Sequence, residues 1–263
     1  MVRWLKLAIL FLLLLSSPAL ATNWCNDANN QACFLMEDAT TESNESTNSS
    51  DGLTVSSGDT IEQSTTKKFG TYSRDFELSD GDYLYQADGL STDISGANQQ
   101  VTVCAWARLE SDTNVYMVIA GKYDYGSGNV QYYLNLDTAN NRMMFAVSAT
   151  GSTTVSTKGD SQIEIETWYH FCGVYDDVTI EVYLDGSNDQ NTPTAHTTGI
   201  YDGTSGFAVG TYFNTYPTPR RFFDGLIDDV GVFDIALDST DIDDITTNGL
   251  YEATAGGAPP QIW

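Results

Sequence analysis

Polar and apolar residues alternate in short runs along most of the chain, and a helical spacing of apolar residues is rare. The runs are rich in β-branched and aromatic residues, and clusters of Gly, Asp, Asn and Ser separate them, which is typical of a β-sandwich or barrel. The run at 101–109 is apolar on both faces, so we expect it to be a central strand. The pattern predicts strands at 101–109, 115–122, 130–136, 142–148, 168–175, 179–184, 206–210 and 225–233.

Two other stretches stand out from this pattern. Residues 39–65 are rich in Ser, Thr, Asn, Asp and Glu, but Leu53 and Ile61 interrupt the polarity, which predicts a long loop followed by an edge strand. Near the end of the chain, Asp238 or Ser239 can cap a helix whose apolar residues are three positions apart and which ends at Asn248-Gly249. One short C-terminal helix is therefore expected.

The first 21 residues have the features of a secretory signal peptide. Arg3 and Lys6 precede the apolar run 7–15, and Ala19 and Ala21 form a small-x-small cleavage site. The apolar run is shorter than the roughly 20 residues that span a bilayer. We expect cleavage after Ala21, a secreted extracellular protein without a transmembrane span, one domain over 22–250 and a flexible tail over 251–263.

The chain is strongly acidic, with 36 Asp and Glu against 11 Lys and Arg. Without Arg3 and Lys6, which fall in the signal peptide, 9 basic residues remain and the formal net charge is −27. Such a surface excludes nucleic acid as a partner, because binding depends on neutralising phosphates. Anionic membranes and polysaccharides would be repelled unless divalent cations bridge them. Solubility, calcium sites or a cationic partner would each explain the charge.

Four cysteines, an even number, are compatible with disulfides in an exported chain. No two of them form a C-x-x-C pair and the chain has 2 histidines, so the spacing argues against zinc. The residues by themselves leave the pairing open.

Four segments occur in an order that resembles a known family. They are KFGTYSRDFELSDGDYL at 68–84, VTVCAWARL at 101–109, ETWYHFCGVYDD with IEVYLDG at 166–186, and FFDGLIDDVGVFDIALDSTDIDDI at 222–245. Together they resemble the laminin-G-like, concanavalin-A-like jelly-roll superfamily, including its pentraxin branch. The resemblance implies an all-β fold, a two-sheet antiparallel jelly-roll sandwich with one short C-terminal helix and long loops on the rim.

The resemblance also implies a disulfide pairing. Pentraxins carry two bridged cysteines in the strands that match VTVC and YHFC. By that resemblance Cys104 pairs with Cys172, and Cys25 and Cys33 are left as a local pair.

A calcium site is implied in the same way. The loop at 45–54 resembles a family loop that often holds a structural calcium together with an acid from the strand matching LIDDV. The implied ligands are Glu45, Asn48, Asp51 and Asp228, which offer the oxygen atoms that Ca²⁺ prefers. The glycines of the family loop are missing here, and a plain polar loop is the alternative.

Catalytic groups are weakly represented. Glu164 and Glu166 would share a face of a strand, as the two carboxylates of a retaining glycosidase do, but they lie in the lead-in to a strand and a solvated strand face explains them. His170 alternates with apolar residues and matches an ordinary histidine of the family, and the chain has no G-x-S-x-G motif. We expect a packed histidine and no catalytic residues.

Tyrosines in glycine-flanked loops are the remaining signal. Tyr123 and Tyr125 lie in GKYDYGSG, and Tyr212 and Tyr216 lie in GTYFNTYPTP. Exposed tyrosines among polar residues can stack on sugars, although they can equally cover the ends of a sandwich. We expect a secreted non-catalytic module that binds an extracellular glycan or mediates adhesion. The alternatives are a structural extracellular domain for protein–protein interactions and a polysaccharide-active hydrolase or lyase.

Overall fold

The computed structural model describes residues 22–38, 40–55, 61–111, 116–137 and 141–251. The predicted signal peptide and residues 252–263 of the predicted tail lie outside these residues, so both remain predictions.

The described residues form nineteen strands, one α-helix and a short 3-10 helix at Trp24–Asn26. The strands are β1 (Asn30–Phe34), β2 (Thr41–Glu42), β3 (Leu53–Val55), β4 (Glu62–Ser64), β5 (Ser73–Phe76), β6 (Leu84–Gln86), β7 (Val101–Leu109), β8 (Met117–Asp124), β9 (Asn129–Asp137), β10 (Arg142–Gly151), β11 (Thr154–Lys158), β12 (Trp168–Tyr175), β13 (Thr179–Leu184), β14 (Ser187–Asn188), β15 (Thr194–Ala195), β16 (Phe207–Val209), β17 (Tyr212–Phe213), β18 (Pro219–Arg220) and β19 (Gly225–Phe233). The helix α1 spans Ser239–Asn248. No helix in the described ranges is both long and apolar enough to cross a membrane.

The strands form two sheets that pack face to face. Sheet A has the order β14-β13-β12-β7-β19-β5-β4, with β1 and β15 attached at its side. Sheet B has the order β11-β10-β9-β8-β16-β6-β3-β2, and the β17–β18 hairpin is attached through β8. All pairings are antiparallel except the single bridge between β17 and β8. The all-β sandwich with one C-terminal helix is therefore confirmed.

The main core lies between the two sheets because alternate residues of each strand point inward. Strand β7 lies between β12 and β19, so its prediction as a central strand is confirmed. Its inner face contributes Val103, Ala105 and Ala107 to the core, where they join Phe171 of the neighbouring strand β12 and Phe145 of the facing sheet B.

A second apolar cluster covers the outer face of sheet A. It contains Ile242 and Ile245 of α1, Trp24 of the 3-10 helix and the side chains of Cys104 and Cys172. The helix starts with a capping box, in which the Asp238 side chain accepts from two backbone N–H groups of the first turn. The backbone N–H of Cys25 donates to the carbonyl of Leu250 at 3.2 Å, so the two ends of the described chain meet beside this cluster.

Both predicted disulfides are present in the structure. Cys104 and Cys172 lie opposite each other on β7 and β12 with a Cα–Cα distance of 4.2 Å. Cys25 and Cys33 are bridged with a Cα–Cα distance of 5.4 Å.

The predicted strand bounds are correct for 101–109, 168–175, 179–184 and 225–233, and shifted for β8. The prediction was 115–122, whereas β8 covers Met117–Asp124 and has irregular pairing after Val118 and again after Lys122. Such bulges break the alternation on which the prediction rests. In 39–65 the predicted edge strand is β4, and two further short strands, β2 and β3, pair at the edge of sheet B.

Candidate functional site

The outer face of sheet B carries a cleft of about 360 Å³. This volume is in the range of ligand-binding clefts, about 300–1,000 Å³. Strands β8, β9 and β10 form its floor, and the loops beside β17 and β18 form its rim. The cleft is lined by Tyr116, Val118, Tyr123, Tyr125, Tyr133, Asn135, Met144, Tyr212 and Arg221.

Three of the tyrosine rings form a stack. The ring of Tyr123 lies parallel to that of Tyr133, with centroids 4.1 Å apart, and to that of Tyr212, with centroids 4.5 Å apart. Tyr125 meets Tyr123 edge to face at 6.5 Å and is 60% exposed. Burial, followed by the neighbouring Tyr133 and Tyr212 hydroxyls, raises the pKa of Tyr123, so it remains a neutral hydroxyl. The exposed rings of Tyr125 and Tyr116 and the partly exposed ring of Tyr212 are the ones that a ligand can reach.

Hydrogen bonds to backbone groups hold the β17–β18 loop against the β8–β9 turn. Asp124 accepts hydrogen bonds from the backbone N–H groups of Thr215 at 2.8 Å and Tyr216 at 3.1 Å. The backbone N–H of Tyr125 donates to the carbonyl of Phe213 at 2.9 Å. A Cβ atom at Gly126 would lie 2.6 Å from the Thr215 hydroxyl, so this close approach requires glycine. The sequence GKYDYGSG thus positions the rim of the cleft.

The cleft contains three of the four tyrosines singled out in the sequence. Tyr216 does not line it; its ring stacks on Tyr85 with centroids 5.2 Å apart and contacts Phe213 edge to face. Tyr133 and Asn135 were not predicted to belong to a site. In VQYYLNL they alternate with residues of the inter-sheet core, which places both side chains on the outer face of β9. No local signal in the sequence brings Tyr116 or Arg221 to this surface, because both come from loops.

The polar groups of the cleft suit binding of hydroxyl groups. Asn135 is 1% exposed, and its Oδ1 atom has no hydrogen-bond partner in the described part of the chain. A buried acceptor without a donor is costly, so a ligand hydroxyl that reaches it would be stabilised. None of the described residues that line the cleft is Asp or Glu. The pair of carboxylates that glycoside hydrolysis uses is thus missing from this lining.

The acids considered for catalysis lie elsewhere. Glu164 and Glu166 precede β12 in a turn, with Glu166 at φ +62°, so the expectation that they share a strand face is wrong. Glu166 instead pairs with Arg108. His170 is fully buried beneath α1, where its Nδ1 lies 2.6 Å from the Thr246 hydroxyl oxygen, and burial followed by the nearby Lys68 lowers its pKa to about 3. It is a packed, neutral histidine.

Asp228 is the predicted calcium ligand with the most unusual surroundings. It is fully buried, and its Oδ2 accepts from the backbone N–H groups of Lys68 at 2.8 Å and Phe69 at 3.1 Å. Its Oδ1 has no partner among the described residues. Burial, followed by the adjacent Asp229 carboxylate, raises the pKa of Asp228, and burial raises the pKa of Asp229 to about 7. Glu37 adds a further negative charge nearby.

The other three predicted calcium ligands have separate contacts. Asn48 donates through Nδ2 to the carbonyls of the 27–30 turn, including that of Asn30 at 2.8 Å. Asp51 accepts from the backbone N–H of Ser91 at 3.2 Å, and Glu45 is half-buried. In the described ranges, none of the hydrogen bonds of Asp228 reaches this loop. The four-residue calcium set stays a prediction.

Comparison with known proteins decides the family. The family model described as the concanavalin A-like lectin/glucanases superfamily matches residues 79–243. The chain belongs to this superfamily. No curated protein sequence matches this member of the superfamily.

Several solved structures share this two-sheet sandwich fold at low sequence identity. Domain 4 of AbnA, a GH43 extracellular arabinanase from Geobacillus stearothermophilus solved with arabinotriose, is 18% identical with a TM-score of 0.60, over 83% of this chain and 98% of that one. The binding domain of Paraclostridial Mosquitocidal Protein 1 is 12% identical with a TM-score of 0.64, over 83% of this chain and 52% of that one. The botulinum neurotoxin serotype D ligand-binding domain, solved with N-acetylneuraminic acid, is 12% identical with a TM-score of 0.60, over 83% and 50%. This chain therefore spans about half of the toxin domains, and at these identities the likeness concerns the fold.

Proposed function

We propose that this chain is a secreted, non-catalytic glycan-binding module and that the cleft on sheet B is its binding site. The observation that carries the proposal is the combination of exposed tyrosine rings with the unpartnered Oδ1 of Asn135 in one cleft. Flat aromatic rings cover the apolar faces of a sugar, and a few fixed polar atoms bind its hydroxyl groups. Helix α1 packs against the outer face of sheet A, whereas the cleft lies on the outer face of sheet B.

Two further points support this class of ligand. Two of the similar structures contain a sugar, arabinotriose in one and N-acetylneuraminic acid in the other. The absence of Asp and Glu from the described lining of the cleft favours binding over hydrolysis. Adhesion to an extracellular surface would follow from glycan binding without any further activity.

A glycan array followed by calorimetry on the best ligand tests the proposal. Tyr212→Ala and Tyr125→Ala should each weaken binding by about tenfold or more, which corresponds to about 1.4 kcal/mol. Tyr216→Ala is the matched control, because Tyr216 is 54% exposed in the β17–β18 loop but its ring does not line the cleft. Its affinity should equal that of the unmodified protein.

Two results would contradict the proposal. If no glycan binds, the module has another function, and a protein partner becomes the better hypothesis. If Tyr216→Ala loses binding while Tyr125→Ala and Tyr212→Ala retain it, glycan binding stands but the site lies outside the cleft.

We also propose that calcium stabilises the fold at Asp228. The Oδ1 atom of Asp228 is buried without a donor in the described residues, and Asp229 and Glu37 add negative charge in its surroundings, which would favour a hard cation with oxygen ligands. Calcium that binds the native state at about 100 times its dissociation constant would add about 2.7 kcal/mol of stability. This role is structural and independent of the cleft.

Thermal unfolding in calcium and in EDTA tests this second proposal. Calcium should raise the midpoint of the unmodified protein and should not raise that of Asp228→Asn. Asp51→Asn is the matched control for the loop at 45–54: if it keeps the calcium response, the loop takes no part in the site, and if it loses the response, the loop contributes ligands as the sequence predicted. An unmodified protein with equal midpoints in calcium and EDTA would refute the proposal.

A further inference from the structure

Four of the nine basic residues in the described part of the chain form ion pairs with carboxylates. Arg74 lies 3.6 Å from Glu42, Lys122 lies 2.7 Å from Asp88, and Lys158 lies 2.6 Å from Asp137. An ion pair neutralises the charge of the basic side chain and fixes its position, so these residues are poorly suited to bind an anionic ligand.

Arg221 differs from these residues in its surroundings. Its guanidinium makes no ion pair with any carboxylate in the described parts of the chain. It is exposed and lines the tyrosine cleft, where none of the described lining residues is acidic. The cleft is therefore a locally basic site on a protein of formal net charge −25.

The backbone at Arg221 is also unusual. Arg221 lies between β18 and β19 with φ +61°, a left-handed conformation that is unfavourable for residues with long side chains. Its carbonyl accepts from the backbone N–H of Val118 at 3.4 Å, which ties this turn to the strand at the cleft floor. Backbone strain of this kind concentrates at functional sites, where it fixes the direction of a side chain.

From these observations we infer that the cleft recognises a carboxylate-bearing sugar and that Arg221 binds its carboxylate. This inference rests on the proposed glycan-binding function. The planar guanidinium can donate two parallel N–H groups to a carboxylate, while Tyr125 and Tyr212 cover the sugar ring and Asn135 accepts from a hydroxyl. Uronic acids and sialic acids share this chemistry.

The net charge of the protein does not prevent such binding. At physiological ionic strength, charges farther apart than about 8 Å are largely screened. Among the described residues that line the cleft, Arg221 is the one with a charged side chain, so it is the charge that a short oligosaccharide there would contact. A long polyanion would extend over the acidic surface and would be repelled, as expected from composition.

The experiment compares each acid with its own methyl ester, which has the same shape without the charge. The probes are a trisaccharide of galacturonic acid and its methyl ester, and sialyllactose and its methyl ester, titrated calorimetrically into the full chain. At least one acid should bind about tenfold or more tightly than its ester, as a charge-assisted bidentate pair allows. The pair that shows this difference identifies the sugar as a uronic or a sialic acid.

Three variants test whether Arg221 causes the difference in affinity between acid and ester. Arg221→Gln should weaken binding of the acid much more than binding of the ester and so remove the difference between them, and Arg221→Lys should retain part of the difference. Arg220→Gln is the matched control, because Arg220 is an exposed neighbour that does not line the cleft, and it should retain the full difference. Thermal midpoints equal to that of the unmodified protein would confirm that the variants are folded.

The failures of the two proposals are distinguishable. Esters that bind as tightly as the acids, or an Arg221→Gln variant that weakens both equally, would overturn the role of Arg221 but leave glycan binding in place. If neither the acids, nor the esters, nor any glycan on an array binds the unmodified protein, the glycan-binding function itself is wrong.

Discussion

The two disulfides allow a quantitative prediction, because they close loops of very different length. The bridge Cys104–Cys172 spans a sequence separation of 68, and Cys25–Cys33 spans 8. In the chain-entropy description, a bridge removes about 2.1 + 1.5R ln n cal/mol/K from the unfolded chain, where n is the loop length. At 25 °C this gives about 4.4 kcal/mol for the long loop and about 2.5 kcal/mol for the short one.

The comparison uses two double variants, Cys104→Ala with Cys172→Ala and Cys25→Ala with Cys33→Ala. All four cysteine side chains are fully buried, so the loss of sulfur packing is similar in the two variants and cancels in the difference. Removal of the long-range bridge should therefore destabilise the protein by about 1.9 kcal/mol more than removal of the local bridge. For a domain of this size that is roughly 4–8 °C in the thermal midpoint.

Urea unfolding under non-reducing conditions measures both free energies of unfolding. The slope with urea concentration should rise in each variant, because the unfolded chain without its bridge exposes more surface. Equal losses in the two variants, or a larger loss for the local bridge, would refute the loop-entropy reasoning. The cause of the stabilisation would then lie in the packing of each bridge.

Three further predictions concern single side chains. Burial lowers the pKa of His170 to about 3, so between pH 7 and pH 5 this histidine takes up a proton in the unfolded chain but not in the folded one. Relative to His170→Gln, the protein should therefore lose about 2 kcal/mol of its free energy of unfolding over this pH range. Parallel curves of stability against pH for the two proteins would contradict this. Asn135→Leu should weaken glycan binding while the urea midpoint rises or stays constant, since it removes an unpartnered buried acceptor; a large loss of stability would mean that Oδ1 has a partner in solution. Asp238→Ala removes the cap of α1 and should cost about 1 kcal/mol by urea unfolding, whereas an unchanged midpoint would mean that the cap contributes nothing.

Elements with complete local signals were predictable from the sequence. The helix begins after Asp238 and ends before Gly249 as expected, because a capping acid and a terminating glycine enclose an apolar stripe. Strand β12 has the predicted bounds because its alternation is uninterrupted. Strand β8 was misplaced because its bulges change which side chains face outward, and this change puts Tyr123 on the open face of sheet B.

The cleft was predictable in part. Tyr123, Tyr125 and Tyr212 were predicted to lie in glycine-flanked loops, but Tyr123 belongs to β8 and Tyr212 to β17. Periodicity within one strand cannot tell which segments meet across a sheet. The contact between the two tyrosine loops depends on Asp124 and on the close approach at Gly126, which are tertiary features. Arg221 carries no signal in its own segment, since its position depends on a turn between distant strands.

The meeting of the chain ends beside sheet A determines how the module can be displayed. Thr22 contacts Asp244 of α1 through its backbone N–H, and Cys25 bonds to Leu250, so both ends of the described chain leave from the helix-covered side. The tyrosine cleft lies on the opposite sheet. A tether joined to either end of the described chain would therefore hold the domain with the tyrosine cleft turned away from the support, whether that support is a neighbouring domain, a cell surface or a sensor chip.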